Sequence, residues 1–91
     1  MNYYDLQKAA KSAIESIDEF SQVYGGNNVL ASIKAQMSFV YTHALNLENP
    51  TEHLNQNPFT YSVLASREFA SPEELAIKEK LDKVSYILDR G

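Results

Sequence analysis

The sequence predicts an all-α fold, a small antiparallel bundle of about four helices folded as one domain over residues 1–91. Three observations carry that expectation. Apolar residues recur at alternating spacings of three and four over long stretches, the period of one helix face. The breaks fall at Gly25-Gly26-Asn27, Asn49-Pro50, Asn57-Pro58 and Ser71-Pro72, where turn-forming and cap-forming residues gather. Alternation of apolar and polar residues, the mark of a half-buried strand, never persists. Helices joined by short connections pack as antiparallel neighbours by default.

The first helix is expected from about Tyr3 to Tyr24. Leu6, Ala10, Ala13, Ile17 and Phe20 make its apolar stripe, and Lys8, Lys11, Glu15, Asp18 and Glu19 its solvated face. Gly25 and Gly26 can take the left-handed conformation that ends a helix. The second helix is expected from about Asn28 to Leu47, capped by Asn28. Its stripe is Leu30, Ile33, Met37, Val40, Ala44 and Leu47, flanked by Phe39, Tyr41 and Leu45. Lys34 is the only formally charged residue between Val29 and Leu47, and Ala31, Ala35, Ser38 and Thr42 fill the remaining arc. A helix so poor in charge is packed on most sides or offers one side to a partner, so it reads as the central helix.

Glu48 to Asn57 reads as a polar connection, with a single helical turn over Thr51 to Leu54. The third helix is expected to begin at Asn57-Pro58, Asn57 capping and Pro58 occupying the first turn. Tyr61, Leu64, Ala65 and Phe69 form its buried stripe. Ser71-Pro72-Glu73-Glu74 is a capping box opening the last helix. Ile77, Leu81, Val84 and Leu88 are that helix's stripe, with Lys78–Asp82 and Glu79–Lys83 spaced as ion pairs outside it.

Composition narrows the function. Hydrophobic residues at 44% and charged residues at 22% are globular values. Eight Lys and Arg against twelve Asp and Glu give a net charge of −4. That balance argues against nucleic acid, whose binding rests on cations at phosphates; it permits a basic protein partner, and solubility alone is the plainer account of it. With no cysteine, disulfides, thiolate metal sites and a cysteine nucleophile are excluded. The opening Met1-Asn2-Tyr3-Tyr4-Asp5 does not read as a signal peptide, and no stretch reads as a membrane span, so the cytoplasm and no membrane partner are expected.

The chain offers few patterns that carry chemistry. His43 and His53 stand ten residues apart on different expected elements, so neither a metal site nor a cofactor is expected. No serine sits in a nucleophile elbow, and Gly25-Gly26 lacks the Lys-Ser/Thr of a phosphate loop. Glu73 and Glu74 suit a helix N-terminus better than acid–base work. The chain is therefore not expected to be an enzyme. Two polar residues lie against apolar faces: Glu68, between Tyr61, Leu64 and Ala65 on the helical wheel, and Gln36, close to Val29 and Val40. A buried carboxylate is costly unless partnered. Glu68 is expected to be satisfied internally; the functional alternative has it reach a groove and meet a partner's cation. Tyr41, Phe59 and Tyr61 lie near the polar connection, where aromatic residues suit a protein interface.

Two runs resemble a known family. Ile33-Lys34-Ala35-Gln36-Met37-Ser38-Phe39-Val40 resembles the Gln-apolar-x-aromatic-apolar helix core of certain bacterial immunity proteins. Thr60-Tyr61-Ser62-Val63-Leu64-Ala65-Ser66-Arg67-Glu68-Phe69 resembles their second hallmark, which ends in a basic-Glu-Phe triplet. Leu81, Val84, Tyr86 and Ile87 follow the spacing of the closing part. The family is that of type VI secretion immunity proteins that neutralise an NAD(P)-hydrolysing effector toxin, and the likeness spans nearly the whole chain. The sequence departs from it at Ser62, where a glycine is expected, and in a link after Phe69 that is one residue longer.

The resemblance implies a cytoplasmic inhibitor that binds a cognate toxin, basic around its active site, and occludes that site. Tyr41, Glu48, Glu52, His53, Tyr61 and Glu68 are the expected toxin-binding residues. Three other readings stand beside it. In one, the chain is a structural or adaptor module whose charge-poor second helix forms a homodimer through Ala31, Ala35, Ser38 and Thr42. In another, it is a four-helix immunity protein against pore-forming bacteriocins, for which nothing in the chain is basic enough. The last is an enzyme.

Overall fold

The computed structural model describes residues 1–54 and 58–90. Among them are four α-helices, one 3-10 turn and no strand: α1 (Tyr3–Tyr24), α2 (Asn28–Leu45), η1 (Pro50–His53), α3 (Tyr61–Glu68) and α4 (Pro72–Arg90). The chain is an all-α small helical bundle, as its periodicity predicts.

α1 begins where Asn2 Oδ1 accepts the Asp5 amide, 3.0 Å away. It stops at Gly25, whose φ of 85° lies in the region that a side chain disfavours. The link to α2 is short, so the two helices run antiparallel. Asp18 and Lys34 pair across them at 2.6 Å, and Gln7 Nε2 donates to the Ala44 carbonyl at 3.0 Å, which satisfies an end group of α2. The lone lysine of α2 is thus held by an aspartate that the sequence places on a solvated face. α4 also runs antiparallel to α1. Phe20, late in α1, shares a groove with Ile77, early in α4, whereas Asp5 shares one with Ile87. Between them Lys80 Nζ donates to Ser12 Oγ at 3.1 Å.

The core is one cluster. α1 gives Leu6, Ala9, Ala10, Ala13 and Ile17; α2 gives Leu30, Ile33, Met37, Val40 and Ala44. Tyr61, Ala65 and Phe69 join from α3 and its C-cap, and Ile77, Leu81 and Val84 from α4. Burial of these side chains is the main stabilising term. The centre, however, is α1 and not α2. α1 packs along both α2 and α4, whose backbones do not run side by side. Its alanines at 9, 10 and 13 let both neighbours approach closely. α2 is not packed on most sides: Ala31, Ser32, Ala35 and Thr42 are small neutral residues on an exposed face.

Helix ends supply further corrections. Asn27, not Asn28, caps α2, its Oδ1 accepting the Leu30 amide at 2.9 Å. α2 ends at Leu45, two residues early. Leu47 lies outside the helix at φ 57° and is 67% exposed, so it leaves the expected stripe. α3 begins at Tyr61, not at Pro58; the expected cap at Asn57 lies outside the described residues. The α4 capping box forms as read. Ser71 Oγ accepts the Glu74 amide at 3.2 Å, and Glu74 Oε1 accepts the amides of Ser71 and Ala70 at 3.0 and 3.2 Å. Those backbone amides, then the Ser71 hydroxyl, hold the Glu74 carboxyl below its usual range. Of the two expected ion pairs on α4, Lys78–Asp82 forms at 3.1 Å; Glu79 and Lys83 do not come within 4 Å.

Candidate functional site

The residues with most chemical potential meet where α2 ends. The Leu45–Glu48 backbone forms a Schellman cap. The Glu48 amide donates to the His43 carbonyl at 2.9 Å and the Leu47 amide to the Ala44 carbonyl at 3.0 Å, with Leu47 in the left-handed position. That closure carries the Glu48 side chain back over the residue whose carbonyl it caps. Its Oε1 lies 3.0 Å from His43 Nδ1.

The chain then enters η1, where Asn49 Oδ1 accepts the Thr51 amide at 3.0 Å and Pro50 is buried. η1 ends at His53, and this corrects the expectation that the histidines lie apart. The His53 ring stacks on that of His43, with centroids 4.5 Å apart and planes 17° apart. Its Nε2 is 3.9 Å from Glu48 Oε2, too long for a hydrogen bond. His43, Glu48 and His53 therefore bring two imidazoles and a carboxylate within 4.8 Å of one another. Spacing along the chain hides this, because the α2 cap and η1 fold the connection back on itself.

Rings continue from this corner toward α3. Phe39 packs on His43 at 4.4 Å, Phe59 lies edge-on to Phe39 at 6.0 Å, and Tyr61 follows Phe59 at 5.7 Å. An open groove of about 440 Å³ runs beside them, lined by Ala35, Gln36, Phe39, His53, Leu54 and Phe59 among others.

Gln36 is the pin between α2 and α3. Its Oε1 accepts the amides of Thr60 and Tyr61, and its Nε2 donates to Thr60 Oγ1, all at 2.9 Å. Thr60 does not cap α3 with its own side chain, so Gln36 supplies from another helix what a local N-cap would. This polar residue on an apolar shoulder is structural.

The six expected interface residues do not form one patch. Glu48, Glu52 and His53 gather at η1, with Glu52 and His53 exposed. Tyr41 is half-buried against the core, and no hydrogen bond or ring contact joins it to η1 among the described residues. Tyr61 is a core residue, 3% exposed, its hydroxyl 2.8 Å from Ser85 Oγ, so it cannot present a face to a partner. Burial pushes its phenol up, opposed by the Ser85 hydrogen bond and helped by Asp89 and Asp82. Glu68 overturns the expectation of an internally satisfied carboxylate, because it is exposed. It is the last residue of α3, and the chain leaves the helix there. Phe69, extended at φ −92° and ψ 127°, takes the burial instead. Helical-wheel angle gives the direction of Glu68 but not whether anything covers it.

Among the described residues, no helix is long and apolar enough to cross a membrane. Set against known protein families, curated proteins and solved structures, the chain finds no match in any of the three.

Proposed function

We propose that this chain is an immunity protein that binds a cognate toxin in the cytoplasm of the producing cell and blocks its active site. The resemblance of the second and third helices makes an NAD(P)-consuming type VI effector the proposed toxin. One observation supports the reading best: the two resembling runs are physically joined. Gln36 of the first run holds Thr60 and Tyr61 of the second by three hydrogen bonds. The residues that carry the likeness thus act together to fix α3 on α2.

Inhibition of this kind requires a complementary surface and no chemistry from the inhibitor. The net charge of −4 suits a toxin whose cleft is basic because it takes an anionic nucleotide. Exposed Glu52 and Glu68 are carboxylates without a cation within 4 Å among the described residues, and they are the proposed acidic contacts. The test is co-expression with the toxin domain encoded beside the gene. Growth rescue together with co-purification supports the proposal; failure of both removes it.

Self-association remains the second reading, favoured by the exposed Ala31, Ala35 and Thr42 on the neutral face of α2. Sedimentation over a range of concentrations separates a homodimer from a monomeric inhibitor.

A further inference from the structure

We infer that His43, Glu48 and His53 form a binding site for a zinc-type divalent ion, independently of the toxin reading. Two imidazoles and one carboxylate are a donor set that zinc accepts, with the fourth position left for water or a partner's side chain. All three ligand atoms already lie within 4.8 Å of one another. A tetrahedral ion with bonds of about 2.0–2.1 Å spaces its ligands about 3.4 Å apart, so the widest gap has to close by about 1.4 Å.

The parts that must move are those free to do so. His43 and Glu48 are anchored to each other by the cap of α2, at 3.0 Å between side chains. Phe39 packs on the His43 ring and holds it. His53, by contrast, ends a four-residue turn and has 41% of its side chain exposed. Ring lone pairs lie in the imidazole plane, so the stacked His53 must turn out of its stack to share an ion with His43.

Hydrogen bonding alone does not explain His53. A clasp over the end of α2 needs His43 and Glu48 only, and the contact between them is complete. Yet His53 Nε2 sits toward the second carboxylate oxygen at 3.9 Å, beyond hydrogen-bond range. Stacking on His43 brings His53 to that distance, and a turn of its ring out of the stack would give a shared cation its third ligand. Glu48 and His53 side chains are 42% and 41% exposed, which leaves an entry path from solvent.

Calorimetric titration of the full chain with Zn²⁺ alone tests the site, with Co²⁺ absorption as a spectroscopic readout. The inference expects one Zn²⁺ per chain and visible bands of tetrahedral Co²⁺. His53→Ala and Glu48→Gln should each weaken binding by more than about a hundredfold and abolish those bands, a larger loss than the roughly 10–100-fold that an outer partner's removal usually causes. His53→Ala removes an exposed ring, and Glu48→Gln keeps an acceptor for His43, so both variants retain the fold, which circular dichroism verifies. Absence of Zn²⁺ binding by the unaltered chain overturns the site and leaves a hydrogen-bonded clasp. Binding that survives both variants unchanged overturns it equally, by placing the ion elsewhere.

Discussion

Gln36 and Thr60 hold each other through two hydrogen bonds of 2.9 Å, the Gln36 amide donating to the Thr60 hydroxyl while its carbonyl accepts the Thr60 amide. The Tyr61 amide binds the same Gln36 oxygen. One side chain therefore starts an eight-residue helix that has no side-chain cap of its own. Gln36→Leu should destabilise the fold by about 1–2 kcal/mol, the usual scale for a lost cap, with the partly buried Tyr61 amide left without its acceptor. Gln36→Glu keeps an acceptor for both amides and should cost less. Denaturant unfolding ranks the variants, and hydrogen exchange at Thr60 and Tyr61 locates the effect.

The α4 capping box gives a prediction with a pH sign. Ser71→Ala should cost about 1 kcal/mol at neutral pH. The Glu74 carboxyl is held below its usual range by the Ser71 and Ala70 amides. A carboxyl depressed in the folded state adds stability above its unfolded pKa and loses it as pH falls through the folded one. The advantage of the native chain over Glu74→Gln should therefore be greatest at neutral pH and shrink in acid. Urea unfolding of both proteins at neutral and acidic pH measures this.

Leu47 occupies a left-handed position with its side chain mostly in solvent. The cap geometry favours glycine there, and the burial lost is small. Leu47→Gly should stabilise by about 0.5–1 kcal/mol, whereas Leu47→Val should destabilise, because a β-branched residue tolerates that backbone worst. Thermal unfolding distinguishes the two directions.

The central place of α1 predicts an asymmetry between two alanines. Ala10 has no exposed surface, and Ala31 on α2 is exposed. Ala10→Leu should cost about 1–3 kcal/mol by overpacking, and Ala31→Leu should be close to neutral. Equal effects on unfolding would contradict the arrangement of the three long helices.

Much of this fold was legible in the sequence, because long helices with one apolar face announce themselves by period. Leu6, Ala10, Ala13 and Ile17 on α1 and Ile77, Leu81 and Val84 on α4 are all buried where the stripes place them. The Ser71–Glu74 box was equally readable, since it is local. What escaped is tertiary. The role of Gln36 depends on a residue 24 positions away, and the meeting of His43 with His53 depends on a Schellman cap formed by a leucine, where glycine is the usual signal. Periodicity also misplaced Glu68, because a wheel has no ends. The missing charge on α2 points to a central helix, whereas the centre is marked by the small buried residues Ala9, Ala10 and Ala13 of α1, which let two neighbours approach.

The toxin reading makes one residue-level claim. Glu52→Lys and Glu68→Lys alter exposed side chains, so neither should change stability by more than about 0.5 kcal/mol. Each should weaken capture of the cognate toxin, with a loss of association rate that salt diminishes. Surface plasmon resonance at two salt concentrations reads both quantities.

The most direct test of the central claim is cellular NAD in bacteria expressing the toxin domain encoded beside this gene, with and without this chain. The proposal expects the toxin alone to deplete NAD and stop growth, and co-expression to restore both. NAD that is depleted equally in the presence of this chain, with no complex recovered, would contradict it.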